Sequence, residues 1–363
     1  MAENTTTMRQ WTTLMDGINN LKLTTVPRPI DLKDDQVLVK ISRVALNHRD
    51  AKIINGDFKD SYPTPSHPLV PTSDASGIIV QVSDSVADTG KWTKGDRVIS
   101  LMRPTHLTGP TTAQHAASGI GIPENGVLTE YRVFSAEGLV GVPGYMSLDE
   151  ACTLPTAATT AWMALNWDRE IDRPRRGKAV VVLLLGTGGV SIAGLQQAKA
   201  LGLTVIITSS SAAKLERARQ LGADYTINYK TNPDWATEVL NITSGKGADI
   251  IFETGGPATM EHSIRCIAAG GNISAIGVLS GTTSNAESAG QAIALSLIRK
   301  NATLKGINVG PKDRIEEMIR TVYVERFEVR PVIDRVFGFE EAREALEYMY
   351  GGSHLGKVIM KVD

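Results

Sequence analysis

The chain has 363 residues, 42% hydrophobic and 21% charged, with a net charge of −1. That is the make-up of a globular protein too long for one small core, so two domains are expected. A near-zero charge offers no basic field to nucleic acid, and no apolar run approaches the roughly 20 residues of a membrane span; the expected partners are a small molecule and a second copy of the chain.

Two cysteines, Cys152 and Cys266, are too few for a disulfide framework or a four-cysteine zinc site. The first residues carry neither the basic nor the apolar region of a signal peptide, so the cytosol is the expected compartment.

Up to residue 150 the chain reads mainly as strand and turn. Gln36–Ser42 alternates with period two, and Gly77–Val82 and Asp96–Ser100 are short strands between turn residues. Residues 103–126 hold repeated Gly and Pro breaks and read as a long loop, functional or mobile. A small-residue helix is expected from Leu154 to Trp162.

Strands and helices then alternate, which predicts a doubly wound parallel sheet. The strand candidates are Val180–Leu185, Thr204–Thr208, Tyr225–Asn228, Asp249–Phe252, Gly271–Ile276 and Thr303–Val309. The helix candidates between them are Ile192–Leu201, Ala212–Leu221, Trp235–Thr243 and Met260–Ala268. Beyond lie an amphipathic helix at Arg314–Val324, a helix at Phe339–Met349 and a final strand after Gly356.

The first strand of this series ends in Gly186-Thr-Gly-Gly-Val-Ser191, and a helix follows at once. Strand, glycine turn, helix, strand is the entry to a dinucleotide-binding βαβ unit. Gly186 permits the sharp turn and Gly188 lets the backbone approach a pyrophosphate. Gly189 and the small Ser191 permit close helix–strand contact. Thr187, Gly188, Gly189 and Val190 then present backbone N–H groups at a helix N-terminus.

The second strand ends in Ser209-Ser210-Ser211 followed by Lys214, with no carboxylate where an NAD site places one. Hydroxyls and an ammonium suit a 2′-phosphate, so NADP is the expected cofactor. Ser209 and Ser210 are also candidate caps for the helix beginning near Ala212. Tyr229, after the third strand, is a candidate for the adenosine end. The turns containing Gly255 and Gly277-Val278 end the fourth and fifth strands, and both could face the nicotinamide half.

As a set, these landmarks resemble the medium-chain dehydrogenase/reductases, in the quinone oxidoreductase-like, zinc-type alcohol dehydrogenase-like branch. The shared stretches include Ala45-Leu-Asn-His-Arg-Asp50, Lys94-Gly-Asp-Arg-Val98, Leu128-Thr-Glu-Tyr131, the Gly186–Ser191 turn, Leu221-Gly-Ala-Asp224 and Gly351-Gly-Ser-His-Leu-Gly-Lys357. The resemblance implies a GroES-like catalytic domain from residues 1–155 and 305–363, with a Rossmann NADP-binding domain, residues 156–304, inserted between and the active site in the cleft. It implies a homodimer joined through the nucleotide domains. It places Asn47 near the nicotinamide ribose and substrate, and Thr160 at the nicotinamide end.

Zinc-dependent relatives carry a Cys where Asn47 or its neighbour falls, His-Glu where Ser73-Asp74 falls, and a Cys where Thr156–Thr160 stand. No zinc is therefore expected. Without a metal to polarise a plain carbonyl, a conjugated acceptor is the easier substrate. Asp50 reads as a structural partner of an arginine. Phe58 stands near where relatives often carry a tyrosine, so Tyr62 is the candidate proton donor, with solvent as the other. His354 is a further residue near the C-terminal strand. The expected function is an NADPH-dependent, zinc-independent reductase of enones or quinones. The alternatives are a metal-free carbonyl reductase or alcohol dehydrogenase, and a non-catalytic NADPH-binding protein. Substrate is expected against loops 50–70, 103–126 and 281–296.

Overall fold

The structure, a computed structural model, describes residues 6–59, 62, 67–279, 286–324 and 329–363. The chain divides into two compact units, residues 1–159, 311–319 and 330–363, and residues 160–310 and 320–329. These limits differ from the expected ones at both boundaries: residues 156–159 lie with the first unit, and residues 305–310 and 320–329 with the second. Residues 305–310 remain with the second unit, because the strand at 303–306 carries its pairing there.

The first unit begins with a hairpin of β1 (Thr7–Thr12) and β2 (Lys22–Pro27). Then come β3 (Gln36–Ala45), β4 (Asp74–Val82), β5 (Arg97–Ser100), β6 (Tyr131–Ser135) and β7 (Leu139–Gly141). The second unit holds β8 (Val181–Leu184), β9 (Thr204–Ser209), β10 (Tyr225–Asn228), β11 (Ala248–Glu253), β12 (Ile267–Ala275) and β13 (Thr303–Gly306). The tail contributes β14 (Ile333–Gly338) and β15 (Lys357–Lys361) to the first unit.

The tail rejoins the N-terminal part directly. β15 pairs antiparallel with β3, Ile359 opposite Ala45, and the larger sheet runs β14-β15-β3-β4-β5-β7 with β6 also on β3. Its inward residues, among them Val37, Val39, Ile41, Ile79, Val98 and Val358, form one core with Phe337, Phe339 and Leu346. The loop at 103–126 is packed rather than loose. Ile120 and Ile122 are buried, a short helix spans Ala113–Ala117, and the helix Lys312–Met318 is tied to it by Lys312 N–H to His106 O (2.9 Å).

The second unit is the expected parallel sheet, in the order β10-β9-β8-β11-β12-β13. Strand order reverses between β8 and β11, where an open sheet of this kind binds its ligand. Val182, Leu183, Leu184, Val205, Ile206 and Ile207 are all buried, which explains why these strands read as continuous apolar runs. One stretch differs from expectation. Within the loop expected at 281–296, a helix spans Ala286–Lys300; residues 281–285 lie outside the described residues, as do 60, 61 and 63–66. No helix of the described residues is long and apolar enough to cross a membrane.

Candidate active site

The candidate nucleotide site stands at the carboxyl ends of β8 and β9. Gly186 has φ +75°, a conformation that favours glycine. Gly188 is the N-cap of the helix Gly189–Ala200, and a Cβ added there would meet nothing within 4 Å. An open cradle ahead of a helix whose first N–H groups lack intrahelical partners fits a diphosphate. Thr187 is buried in the turn, and Val190 lies in the first helical turn.

Close helix–strand approach is carried by a residue the motif did not include. A Cβ on Gly194 would fall 2.6 Å from the Phe252 ring. Ser191 has its own use, since its hydroxyl donates to Leu185 O at 2.8 Å.

β9 ends in a buried Ser209, whose Oγ accepts the Ser211 N–H at 3.3 Å. The helix Ala212–Gln220 is capped by Ser211, which accepts from Lys214 N, and not by Ser209 or Ser210. Tyr229 N–H donates to Ser209 O at 3.2 Å, which brings its backbone beside the serines, and its side chain is exposed. The structure thus gathers Ser209, Ser210, Lys214 and Tyr229 at one corner. The acid of the neighbouring connection, Asp224, is at the opposite end of the strand, where it takes the Val205 N–H (2.7 Å) and pairs with Lys199.

The turn after β11 is built by Glu253, which sequence reasoning missed. This buried carboxylate accepts from Gly255 N (2.9 Å), Gly256 N (3.0 Å) and the Thr259 and Ser263 hydroxyls. The Gly255 N–H is thereby committed to the fold. Gly277 N–H is directed at Glu253 O (3.3 Å), leaving exposed Val278 as the side chain at the end of this connection. Thr160, at the start of this unit, is buried.

A second candidate cluster belongs to the first unit. Asn47 precedes the helix His48–Ile54, and its backbone N–H donates to Asp50 Oδ2 at 2.8 Å, half of a capping arrangement. Its side chain does something else. Oδ1 accepts from Lys357 Nζ at 2.7 Å, while Nδ2, shut off from solvent, has no acceptor among the described residues. Lys357 also donates to Leu46 O (2.6 Å) and stands 3.9 Å from Asp74 Oδ2.

Asp74 in turn accepts from Thr156 N (3.1 Å), Thr156 Oγ1 (2.5 Å) and Ser73 Oγ (2.9 Å). The positions where zinc-dependent relatives place ligands therefore converge here, and they hold an amide, hydroxyls and a carboxylate knitted around an ammonium. Among the described residues no group of three His, Cys, Asp or Glu is placed to hold a metal ion. Cys152 is buried, and burial pushes its thiol well above the usual range, so it serves as packing.

Asp50 is fully buried, and burial pushes its carboxyl up to about 6, against the pull of Arg49, whose Nη1 is 3.8 Å away. It holds local structure, as expected. Phe58 and half-buried Tyr62 pack on Met15, Ile53 and Ile122. Arg103 neighbours Tyr62 and Arg49; burial lowers its pKa, and the Tyr62 phenol opposes that. His354 is half-buried in the same unit.

Comparison with known proteins agrees with this geometry. The pattern of the alcohol dehydrogenase GroES-like domain matches residues 33–144, and that of the zinc-binding dehydrogenases matches residues 189–323. A zinc-type alcohol dehydrogenase-like protein of Schizosaccharomyces pombe is 39% identical over 352 residues, covering 96% of this chain and 97% of the relative. The 2-methylene-furan-3-one reductase of Solanum lycopersicum is 29% identical over 97% of this chain and 79% of its own length. A solved structure from Sinorhizobium meliloti 1021, assigned by name to the alcohol dehydrogenases, superposes with a TM-score of 0.86 at 36% identity and 99% coverage of both chains. Sequence, fold and relatives agree: the chain belongs to the medium-chain dehydrogenase/reductase superfamily, an oxidoreductase family built on a GroES-like unit and a nicotinamide-binding Rossmann unit.

Proposed function

We propose that the protein is an NADPH-dependent, zinc-independent reductase of activated C=C bonds or quinones. The observation that carries this reading is the Lys357–Asn47 contact, which leaves a buried amide donor, Asn47 Nδ2, without a partner. A donor of that kind suits an oxygen that gains negative charge during reaction. The fixed ammonium 3.9 Å from Asp74 stands where a dication would otherwise be held and would repel one.

A reduced nicotinamide, when bound, supplies a hydride. The β-carbon of a conjugated carbonyl acceptor takes it, the C=C electron pair moves onto the carbonyl oxygen, and a proton delivered to the α-carbon completes the reduction. Asn47 Nδ2 stabilises the enolate oxygen. Tyr62 delivers the proton, with the Arg103 guanidinium as its neighbour. Ser209, Ser210 and Lys214 select NADPH by receiving the 2′-phosphate, with Tyr229 beside the adenosine.

Relatives support the acceptor class, since one is named as a furanone reductase. We further infer a homodimer joined through the nucleotide unit. β13 is an edge strand carrying Leu304 at 37% exposure, and the adjacent helix Ala286–Lys300 exposes Leu295 and Ile298. The two cysteines are free and buried, which agrees with a cytoplasmic setting.

The test follows NADPH oxidation with enones, quinones, saturated ketones and aldehydes, with and without a chelator. Turnover of enones or quinones that is unchanged by the chelator is expected. Turnover confined to saturated carbonyls, or activity lost to the chelator and restored by zinc, refutes the reading. Binding of NADPH with no oxidation would favour a non-catalytic role.

A further inference from the structure

Lys357 and Asn47 stand 310 positions apart in sequence and in hydrogen-bond contact in the fold. An amide has one accepting end and one donating end. With Oδ1 committed to Lys357, the end left over is the donor Nδ2, buried and without an acceptor among the described residues. The lysine is itself fixed. It is buried in β15, donates to Leu46 O, and faces Asp74 at 3.9 Å, while Asp74 is pinned by Ser73 and Thr156.

We propose that Lys357 is a positioning residue that holds Asn47 Oδ1, so that Nδ2–H is the end offered to a ligand oxygen, and whose charge makes that N–H the stronger donor. The proposal rests on the reading of Asn47 given under the proposed function. Its physical basis is that a cation on the acceptor end polarises the amide, and consecutive hydrogen bonds strengthen one another in a dry interior.

The groups facing the ammonium are Asp74 from β4, Asp50 from the helix His48–Ile54 and the Cys152 thiol. Burial lowers the lysine below its usual range; Asp74 and then Asp50 oppose this and favour the charged form. Raising the pH through that lowered pKa removes the charge but leaves an amine able to donate. The rate then falls while the amide stays oriented.

The experiment uses the full chain with NADPH and a conjugated enone. It compares the wild type, Asn47→Ala, Lys357→Met, their double variant, and Asp74→Asn/Lys357→Met. The last removes the buried pair together, so that a folding failure of Lys357→Met alone leaves the test intact. Asn47→Ala is expected to lower kcat on the order of 100-fold. Lys357→Met should lower it about tenfold or more and abolish the alkaline fall in rate, and the double variant should be no slower than Asn47→Ala. A second readout needs no turnover: the 15N–1H signal of the Asn47 side-chain amide, assigned by its loss in Asn47→Ala. It should shift and exchange faster in both lysine variants.

Losses that multiply in the double variant, or an amide signal unmoved by removal of Lys357, overturn the proposal. Full kcat in Asn47→Ala together with a displaced signal in the lysine variants supports the positioning role. That result would overturn instead the assignment of Asn47 as donor to the reacting oxygen.

Discussion

Asp50→Asn should make the protein more stable at pH 8 and no more stable at pH 4. Asp50 is 1% exposed, and burial raises its carboxyl from 3.8 to about 6. A carboxyl whose pKa is raised on folding contributes stability that is complete below 3.8 and lost as pH rises through 6. At about 1.4 kcal/mol per pKa unit, keeping Asp50 ionised costs the fold about 3 kcal/mol at pH 8. Asparagine matches the protonated form in shape and still accepts the Asn47 N–H, which Asp50 Oδ2 takes at 2.8 Å. For a unit of this size, where each kcal/mol moves Tm by roughly 2–4 °C, the gain is about 6–12 °C. The assay is thermal and denaturant unfolding of both proteins from pH 4 to pH 8. A difference that does not change with pH, or a variant less stable at pH 8, would show that the capping and ion-pair contacts of Asp50 outweigh its burial.

Gly188→Val should fold normally and lose the nucleotide. Its backbone is extended (φ −76°, ψ −177°) and a Cβ meets nothing, so unfolding free energy should stay within about 1 kcal/mol while NADPH affinity falls about tenfold or more by fluorescence titration. Equal loss of stability would mean the open space belongs to the fold. Lys214→Glu should weaken NADPH about tenfold or more and leave NADH within about twofold; equal loss for both would remove the 2′-phosphate from this corner. Tyr62→Phe should lower kcat on enones about 100-fold with nucleotide affinity intact. An unchanged kcat would assign the proton to solvent.

The nucleotide unit was legible because its strands are buried on both faces. A run such as Val181–Leu184 has no polar face to disguise it, and Tyr225–Asn228 was bounded by turn residues on each side. What escaped was polar or short. The hairpin of β1 and β2 is threonine-rich and half exposed, so neither strand shows an apolar face. The helix His48–Ile54 begins with a charged turn, although Asn47 and Asp50 at three-residue spacing were a readable start signal. The helix Ala286–Lys300 is rich in alanine, serine and glycine, so its apolar periodicity was faint in the sequence. Ser211 displaced Ser209 and Ser210 as the helix cap because a cap is set by one backbone dihedral, which a run of three serines does not reveal.

The polar cluster of the first unit was legible as residue types and illegible as a circuit. Asn47, Asp50 and Asp74 all stood out, yet each reads separately as a capping or surface polar group. Their joint meaning depends on Lys357, and its signal was a lysine inside the apolar run Gly356-Lys-Val-Ile-Met360. A lysine there must either point outward or be paired, because burying an ammonium alone is prohibitive. Strand alternation makes Lys357 and Ile359 share a face, and Ile359 is fully buried, so β15 had to supply a partner for the charge. That partner cannot be read from the sequence, since pairing of β15 with β3 is what brings Lys357 to Leu46 and Asn47. The missing zinc ligands alone say only that a metal site is absent from the sequence pattern. The ammonium held by Leu46 and facing Asp74 says what fills that place, and so which end of Asn47 is available for chemistry.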